Sequence, residues 1–248
     1  MDMKKKKNPA ARSTKFVSVA SKETPFAYVE AYKSLRTNIG FMTNVSGVRS
    51  ILITSAVPEE SKSTTAINLA LTLADSGHSV VLVECDLRKP VLRKYLKREL
   101  GQAGLGAYLA GLVNLDDCIV DLKDLGISVI SAGVVPPNPS ELLNTTRMQE
   151  LVELLKHNFD YVILDAPPVT VVTDAAVVGR LTDGALLVVR SKFASARTIR
   201  QAKAKLENVG IRILGGVLTR FDMRKSGWRG GYDYTNYEYG YGHSRNRR

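Results

Sequence analysis

The stretch SILITSAVPEESKSTTAINLALTLADS, residues 50–76, decides the fold of this chain. It begins with an apolar run at residues 50–54 that predicts a buried strand, and it ends with apolar positions that are spaced for a helix from Lys62 onward. Between the two elements lies a short loop that carries Lys62 and Ser63 at its end. A strand, a loop, a Lys-Ser pair and a helix in this order are typical of a phosphate-binding P-loop.

Strand-like and helix-like segments alternate along the rest of the chain. Short apolar runs predict further strands at residues 80–83, 127–130, 161–164, 185–189 and 213–218. Helical spacing or a helix-start residue predicts helices at residues 26–42, 90–96, 140–156, 174–181 and 194–209. Because short apolar strands that alternate with helices form right-handed crossover units, we predict a parallel sheet that is buried on both faces. The expected fold class is α/β, a doubly wound and mostly parallel sheet of the P-loop NTPase type.

The composition is that of a globular protein. Of the 248 residues, 44% are apolar and 24% are charged, which excludes a disordered or fibrous chain. No apolar run approaches the roughly 18 residues that a membrane span needs, and no signal-peptide stretch follows the basic N-terminus. Cys85 and Cys118 lack metal-type spacing and fit reduced thiols. We therefore expect a cytoplasmic protein without a membrane span of its own.

Positive charge is concentrated at the two ends of the chain, whose overall net charge is +11. Residues 1–12 carry five Lys or Arg against one Asp, and residues 220–248 carry seven against three Asp or Glu. Basic tails suit an anionic partner such as nucleic acid or an acidic membrane surface, but they also maintain solubility, and both interpretations stay open. We predict a flexible basic arm at residues 1–25, a domain at residues 26–220 and a Gly/Tyr-rich tail at residues 221–248. The tail holds a tyrosine cluster formed by Tyr232, Tyr234, Tyr237, Tyr239 and Tyr241.

The loop before the second predicted helix is the candidate phosphate site. Backbone N–H groups and the helix N-terminus would point at phosphate oxygens, Lys62 would reach the terminal phosphates, and the Ser63 hydroxyl would bind Mg²⁺. The P-loop pattern has glycines where this chain has Ala56 and Ser61, and a positive φ at Ser61 would cost about 1–2 kcal/mol. An ordinary strand–helix turn with a surface lysine is therefore the alternative. The loop residues expected to border a nucleotide are Pro58, Glu59, Glu60, Ser61, Lys62, Ser63 and Thr64.

Acidic residues follow two other predicted strands. Glu84 and Asp86 follow the run at residues 80–83, and Asp165 ends the run at residues 161–164. In a doubly wound sheet the ligand lies at the carboxyl ends of the strands, so we expect these side chains to meet Lys62 in one crevice. Carboxylates there can hold Mg²⁺ and can accept a proton from an attacking hydroxyl. A helix N-cap is the alternative for Asp165.

Together, these motifs resemble the bacterial tyrosine kinases of capsule and exopolysaccharide synthesis, over nearly the full chain. The motifs that carry the resemblance are EAYKSLRTNI at residues 30–39, the loop at residues 55–64, VLVECDLRKP at residues 81–90, PNPSELL at residues 137–143, VILDAPP at residues 162–168 and the tyrosine cluster.

The resemblance implies an ATP- and Mg²⁺-dependent kinase that phosphorylates its own tail tyrosines and other proteins. It implies a ring-shaped homo-oligomer, whose subunit contacts would use Glu30, Lys33 and Arg36 on the helix at residues 26–43. It also implies a separate transmembrane activator that holds the kinase at the inner face of the membrane. Carried over by position, Lys62 would bind phosphate, Ser63, Asp86 and Asp165 would serve Mg²⁺, and Glu84 would be the base. Arg88 would lie near the phosphates or at a subunit boundary, and both places stay open.

The chain departs from the family pattern at five positions. Glu59 and Ser61 replace loop glycines, Glu84 replaces an aspartate, Lys33 replaces an arginine, and Thr219 stands where many relatives have an asparagine. None of these changes removes the lysine, the Mg²⁺-binding hydroxyl or the carboxylates, so we expect activity.

Two other functions remain as hypotheses. The loop substitutions favour a nucleotide-binding scaffold with little kinase activity, and the basic arm suits a membrane- or DNA-cycling ATPase of the MinD or ParA kind. Nucleic-acid binding by the tail, near Trp228 and Arg229, is less favoured. The helix at residues 26–43 has the simpler interpretation of packing on its own domain.

Overall fold

A computed structural model describes residues 18–21 and 23–221 of the chain. The described strands are β1 (Ser50–Ser55), β2 (Val80–Glu84), β3 (Ile119–Leu122), β4 (Ile127–Ile130), β5 (Tyr161–Asp165), β6 (Gly184–Arg190) and β7 (Ile213–Thr219). The described helices are α1 (Phe26–Ser46), α2 (Lys62–Asp75), α3 (Leu92–Leu96), α4 (Leu105–Leu109), α5 (Pro139–Leu143), α6 (Thr146–Asn158), α7 (Asp174–Gly179) and α8 (Ala196–Glu207). Most of the predicted arm and the predicted tail with its tyrosine cluster lie outside the described residues.

The strands form one seven-stranded sheet in the order β3-β4-β2-β5-β1-β6-β7. All neighbouring pairs are parallel except β3 and β4, which are antiparallel. Helices cover both faces, because α1, α2 and α3 contribute to one apolar cluster and α4 to α8 contribute to the other. The central strands β1, β2 and β5 are buried along their whole length, as their continuous apolar runs require. The predicted doubly wound, mostly parallel sheet is confirmed.

Three elements differ from the sequence expectation, and one of them is the short helix α4, which was not predicted. The edge strand β3 was not predicted, because it has four residues, of which Leu122 alone is buried, and gives no clear apolar pattern. The helix expected at residues 140–156 is divided into α5 and α6. Thr145 causes the division, since its extended backbone and its side chain, which accepts a hydrogen bond from Met148 N, start a new helix.

Helix α1 packs against α2 on one face of the sheet. Tyr32 and Ile39 are its buried side chains, and Arg36 Nη1 donates a hydrogen bond to the Thr72 carbonyl of α2 at 3.1 Å. The helix ends at Gly47, whose φ of 65° is the left-handed conformation that glycine adopts without strain. Within the described part of the chain, none of the helices has the length and apolar character that crossing a membrane requires.

The order of the central strands determines where the candidate site lies. β5 pairs with β2 on one side and with β1 on the other, and Glu84 lies level with Asp165 in the register. The loops that follow β1, β2 and β5 therefore leave the same edge of the sheet, next to the amino end of α2.

Candidate active site

The side chain of Lys62, at the first position of α2, is the centre of the site. Its Nζ lies 3.0 Å from Asp86 Oδ2 and 3.5 Å from Asp165 Oδ1. It also donates to Ser63 Oγ at 3.3 Å. The structure therefore brings together four of the residues that the sequence analysis singled out, from the loops or ends of three neighbouring strands.

Burial and charge oppose each other at this cluster. Burial lowers the pKa of Lys62, but Asp165 and Asp86 raise it by more, so the ammonium keeps its charge. Burial raises the pKa of Asp165, and Lys62 only partly offsets that effect. Asp165 is fully buried, and within the described part of the chain its Oδ2 has no hydrogen-bond partner. A buried carboxylate oxygen without a partner is costly unless a cation or an ordered water satisfies it.

The loop between β1 and α2 has left-handed backbone at two non-glycine residues. Glu59 has a φ of 67° and Ser61 a φ of 71°. The family pattern has glycine at both positions, and each left-handed residue of another type costs about 1–2 kcal/mol. The loop therefore takes up the strained conformation without glycine.

Glu60 is the contact that holds this loop. Its side chain is fully buried, with Oε2 accepting from Val57 N at 2.9 Å and Oε1 accepting from Arg190 N at 3.2 Å. Its carbonyl accepts from the Thr219 hydroxyl at 3.0 Å. The charge of Glu60 is therefore turned into the protein, and the expectation that Glu60 borders the nucleotide stays a prediction. The Thr219 hydroxyl is thus used in a hydrogen bond to the phosphate loop.

A cavity of about 360 Å³ opens above the loop. The expected nucleotide-binding residues that line it are Pro58, Glu59, Ser61, Lys62, Ser63, Thr64 and Arg88, and Asp86 lies beside them. Sequence analysis did not single out Tyr95, Val171, Val172 and Arg220, which also line it. Arg220 directly follows the last strand and has a φ of 53°, and burial together with Arg190 lowers its pKa.

The guanidinium of Arg88 donates hydrogen bonds to two side chains of the same chain. Its Nε donates to Asp174 Oδ2 at 2.8 Å and its Nη2 donates to Ser140 Oγ at 2.7 Å, while Ser140 Oγ donates to Asp174 Oδ1 at 2.6 Å. Asp174 is fully buried. Ser140, which was expected to start a helix, lies within α5, whose N-cap is Asn138, and its hydroxyl belongs to this network. The network places Arg88 at the rim of the cavity.

Glu84 lies beneath the cavity rather than at its wall. It is 2% exposed, and its carboxylate accepts from Val91 N at 2.5 Å, from Leu92 N at 2.8 Å and from Ala132 N at 3.0 Å. Burial raises its pKa, and these backbone hydrogen bonds oppose that effect. The carboxylate thus joins the end of β2 to the start of α3 and to the residues after β4.

Comparisons with known proteins agree with this arrangement. A ParA family model, described as an NUBPL iron-transfer P-loop NTPase, matches residues 48–223. Tyrosine-protein kinase YwqD of Bacillus subtilis is 34% identical over 227 residues, which are 92% of this chain and 95% of that protein. The solved kinase domain of Escherichia coli tyrosine kinase ETK is 34% identical, with a TM-score of 0.77 over 88% of this chain and 86% of that chain. The chain belongs to the bacterial tyrosine kinases.

The fold is shared more widely than the kinase family. The septum site-determining protein MinD from Pyrococcus horikoshii, solved in complex with Mg-ADP, has a TM-score of 0.60 and 24% identity, and covers 68% of this chain and 69% of that chain. At that identity the likeness concerns the P-loop NTPase fold alone.

The residues of this tyrosine kinase fit a magnesium ion. Ser63 and Asp86 line the cavity, and Asp165, which is buried behind them, has a carboxylate oxygen, Oδ2, without a hydrogen-bond partner among the described residues. Among the described residues, no group of three or more His, Cys, Asp or Glu could hold a metal ion. Mg²⁺ is commonly held by one or two carboxylates together with phosphate oxygens and water, rather than by a cage of protein ligands.

The kinase's α1 residues that were expected at subunit contacts have partners within the chain. Lys33 Nζ lies 2.8 Å from Glu30 Oε1, and Arg36 donates to the Thr72 carbonyl. The simpler interpretation of α1, packing on its own domain, thus accounts for its buried face.

Proposed function

We propose that this bacterial tyrosine kinase is an ATP- and Mg²⁺-dependent autokinase that phosphorylates its own tail. The observation that carries the proposal is the Lys62 ammonium, which contacts two carboxylates at the amino end of α2. A helix N-terminus with loop amides binds anions, and a lysine there supplies charge for the terminal phosphates. The proposed acceptors are Tyr232, Tyr234, Tyr237, Tyr239 and Tyr241.

The residue roles follow from charge and position. Lys62 binds the terminal phosphates, while Ser63, Asp86 and Asp165 serve Mg²⁺, which would neutralise phosphate charge when bound. The tyrosine oxygen forms a bond to the γ-phosphorus as the bond from that phosphorus to the ADP oxygen breaks. The hydroxyl proton passes to a carboxylate of the site.

The tail is proposed as a tethered substrate. Residues 221–248 are joined to the catalytic domain, and tethering gives an effective concentration of roughly millimolar. A tyrosine therefore needs little affinity of its own to reach an active site, in its own or a neighbouring subunit.

The partners are also proposed by resemblance. They are a ring of identical subunits with contacts at Glu30, Lys33 and Arg36, other tyrosine-bearing proteins, and a transmembrane activator at the inner face of the membrane. The process served is capsular or extracellular polysaccharide synthesis. Nucleic acid is not proposed as a partner, and the division into arm, kinase domain and tail stays a prediction.

A nucleotide-binding scaffold is the second candidate. The left-handed backbone at Glu59 and Ser61 supports it, because residues other than glycine destabilise this loop conformation by about 1–2 kcal/mol each. An ATPase of the MinD or ParA kind shares the fold but has no use for the tyrosine cluster.

A mixing experiment tests transfer to the tail. Full-length Lys62→Met protein, which keeps its tyrosines, is incubated with Mg-ATP and a catalytically intact protein whose five tail tyrosines are phenylalanine. We expect phosphotyrosine on the tail of the Lys62→Met protein. The wild type alone is measured beside the mixture, because it also reports transfer within one subunit. Nucleotide binding without phosphotyrosine in both samples would support the scaffold, and release of phosphate without phosphotyrosine in both would support the ATPase. A mixture in which both proteins lack the tyrosines is the matched control.

A further inference from the structure

We propose that Glu60 is a positioning residue for nucleotide binding, because it fixes the strained phosphate loop to the ends of β6 and β7. This inference rests on the proposed kinase function. It concerns how a phosphate loop that lacks glycine keeps the shape on which phosphate binding depends.

The phosphate loop holds its conformation without glycine. Residues 56–61, between β1 and α2, contain no glycine, and Glu59 and Ser61 have φ values of 67° and 71°. A residue with a side chain persists in this left-handed region only where the surrounding structure over-determines its conformation. Glu60 lies between the two left-handed residues, so contacts that fix Glu60 act on both of them.

The Glu60 carboxylate makes one contact within the loop and one with the sheet. Oε2 accepts from Val57 N at 2.9 Å, and Oε1 accepts from the N–H of Arg190, the last residue of β6, at 3.2 Å. The Glu60 side chain is fully buried. Because a buried carboxylate that loses its hydrogen-bond donors is strongly destabilising, the loop cannot move away from β6 without a large cost.

The backbone of this part of the loop makes further contacts with the sheet. The Glu60 carbonyl accepts from the hydroxyl of Thr219, the last residue of β7, at 3.0 Å. Arg190 and Thr219 are register partners, so the side-chain and carbonyl contacts of Glu60 reach the same end of the β6–β7 pair. Arg190 Nη1 also donates to the Glu59 carbonyl at 3.5 Å. Residues 59 and 60 are therefore fixed to one edge of the sheet.

The position of Glu60 determines where the phosphate-binding groups lie. Lys62 begins α2 two residues after Glu60, and Ser61, Lys62 and Ser63 line the cavity. Anion binding at a helix N-terminus depends on the direction of the loop N–H groups. A displacement of about 1 Å in groups that position a substrate can lower the rate by about 10²-fold. Glu60 therefore acts on the nucleotide through the loop.

Glycine substitution separates this role from a general effect on stability. Glycine adopts the left-handed conformation without strain, so a loop with Glu59→Gly and Ser61→Gly depends less on an external contact to keep its shape. If Glu60 holds the strained conformation, the double glycine variant should tolerate its loss. If Glu60 only stabilises the domain, the loss should be the same in both backgrounds, because independent effects add.

The experiment measures Glu60→Gln in the wild-type background and in the Glu59→Gly/Ser61→Gly background. Glutamine keeps the shape of the side chain but turns an NH₂ group toward one of the two backbone N–H donors. Mg-ADP affinity is measured by calorimetry, and autophosphorylation is measured against ATP concentration. Glu150→Gln, at an exposed glutamate of α6, is the matched control.

In the wild-type background we expect Glu60→Gln to raise the Mg-ADP dissociation constant and the KM for ATP by about tenfold, with kcat changed by less than about threefold. In the glycine background the rise should shrink to about twofold. An equal rise in both backgrounds, or no rise in the wild-type background, would overturn the proposal.

A milder variant keeps the comparison available if Glu60→Gln fails to fold. Thr219→Val removes the hydroxyl that bonds the Glu60 carbonyl, and it should show the same dependence on background with a smaller rise. Calorimetry needs no turnover, so a wild-type protein that binds Mg-ADP without forming phosphotyrosine would refute the proposed function while the affinities still test Glu60. A wild-type protein that binds no Mg-ADP would overturn both.

Discussion

Lys62 Nζ lies 3.0 Å from Asp86 Oδ2, although the two residues belong to loops that follow strands separated in the sheet by β5. Asp165, at the end of β5, completes the group at 3.5 Å. The Lys62 ammonium therefore contacts two carboxylates, and phosphate oxygens that approach it compete with those carboxylates for the same charge. A magnesium ion offers those carboxylates a replacement charge, which couples nucleotide and metal binding at this site.

Restoring glycine to the phosphate loop should relieve strain. Ser61→Gly and Glu59→Gly remove left-handed non-glycine residues, so we expect each to raise the free energy of unfolding by about 1 kcal/mol. We also expect tighter Mg-ADP binding. Urea unfolding and calorimetry measure the two effects. Ser34→Gly, in the exposed interior of α1, is the matched control and should destabilise by about 0.5–1 kcal/mol. Equal destabilisation at Ser61 and Ser34 would contradict the strain.

Removal of the Arg88 side chain should leave the buried Asp174 carboxylate without its charged partner. Asp174 is fully buried, and Arg88 and Ser140 are its partners, so Arg88→Ala should lower the free energy of unfolding by about 1–3 kcal/mol. Arg88→Lys should not restore stability, because a lysine cannot donate through the planar fork that reaches both partners. Denaturant titrations check this, with exposed Arg93→Ala as the control. A stable Arg88→Ala protein would show that the network contributes nothing.

The site could be predicted from the sequence where it depends on strand order and local motif. Asp165 ends an apolar strand, Asp86 follows one closely, and Lys62 ends the loop after a third, and parallel strands bring such positions to one edge. The buried position of the Glu60 carboxylate could not be predicted, because that carboxylate accepts a hydrogen bond from the N–H of Arg190, which lies 130 residues away. The same holds for Ser140 and Asp174, whose contact depends on how α5 and α7 pack. Strand β3 depends on its pairing with β4, and the break between α5 and α6 depends on the cap at Thr145, so neither could be predicted from an apolar pattern.

Acid should remove the contribution of Asp183 to stability. Burial raises the pKa of this carboxyl, but hydrogen bonds from Ser50 N and Arg49 N and the Lys156 ammonium lower it by more. A depressed pKa in the folded state stabilises above the unfolded value of about 3.9, and the stabilisation disappears as the pH falls through the folded value.

We therefore expect Asp183→Asn to be less stable than the wild type by about 1 kcal/mol at pH 7, with the difference shrinking below pH of about 4. Urea unfolding across that range measures it, and exposed Asp75→Asn is the control. A constant difference at all pH values would count against the linkage.

Arg36 connects α1 to the domain and to the proposed ring. Arg36→Glu should convert an oligomer to a monomer in light scattering, because it reverses the charge at the proposed contact. It should also cost about 1 kcal/mol of stability, since the hydrogen bond to the Thr72 carbonyl is lost. Arg36→Gln keeps a hydrogen-bond donor, so it should cause a smaller loss of oligomer and a smaller loss of stability. An unchanged oligomer mass for a folded Arg36→Glu protein would place the subunit contact elsewhere.

The central claim is that Lys62 and the carboxylates around it transfer phosphate from ATP to the tail tyrosines. The most direct test is the intact mass of phosphatase-treated protein after incubation with Mg-ATP, followed by peptide mapping, for the wild type, Lys62→Met and the exposed control Lys94→Met. We predict phosphate-step mass gains on the tyrosine cluster for the wild type and Lys94→Met, and none for Lys62→Met. Wild-type gains that persist at the same rate in Lys62→Met, or no wild-type gain with an activator's cytoplasmic segment supplied, would contradict the account.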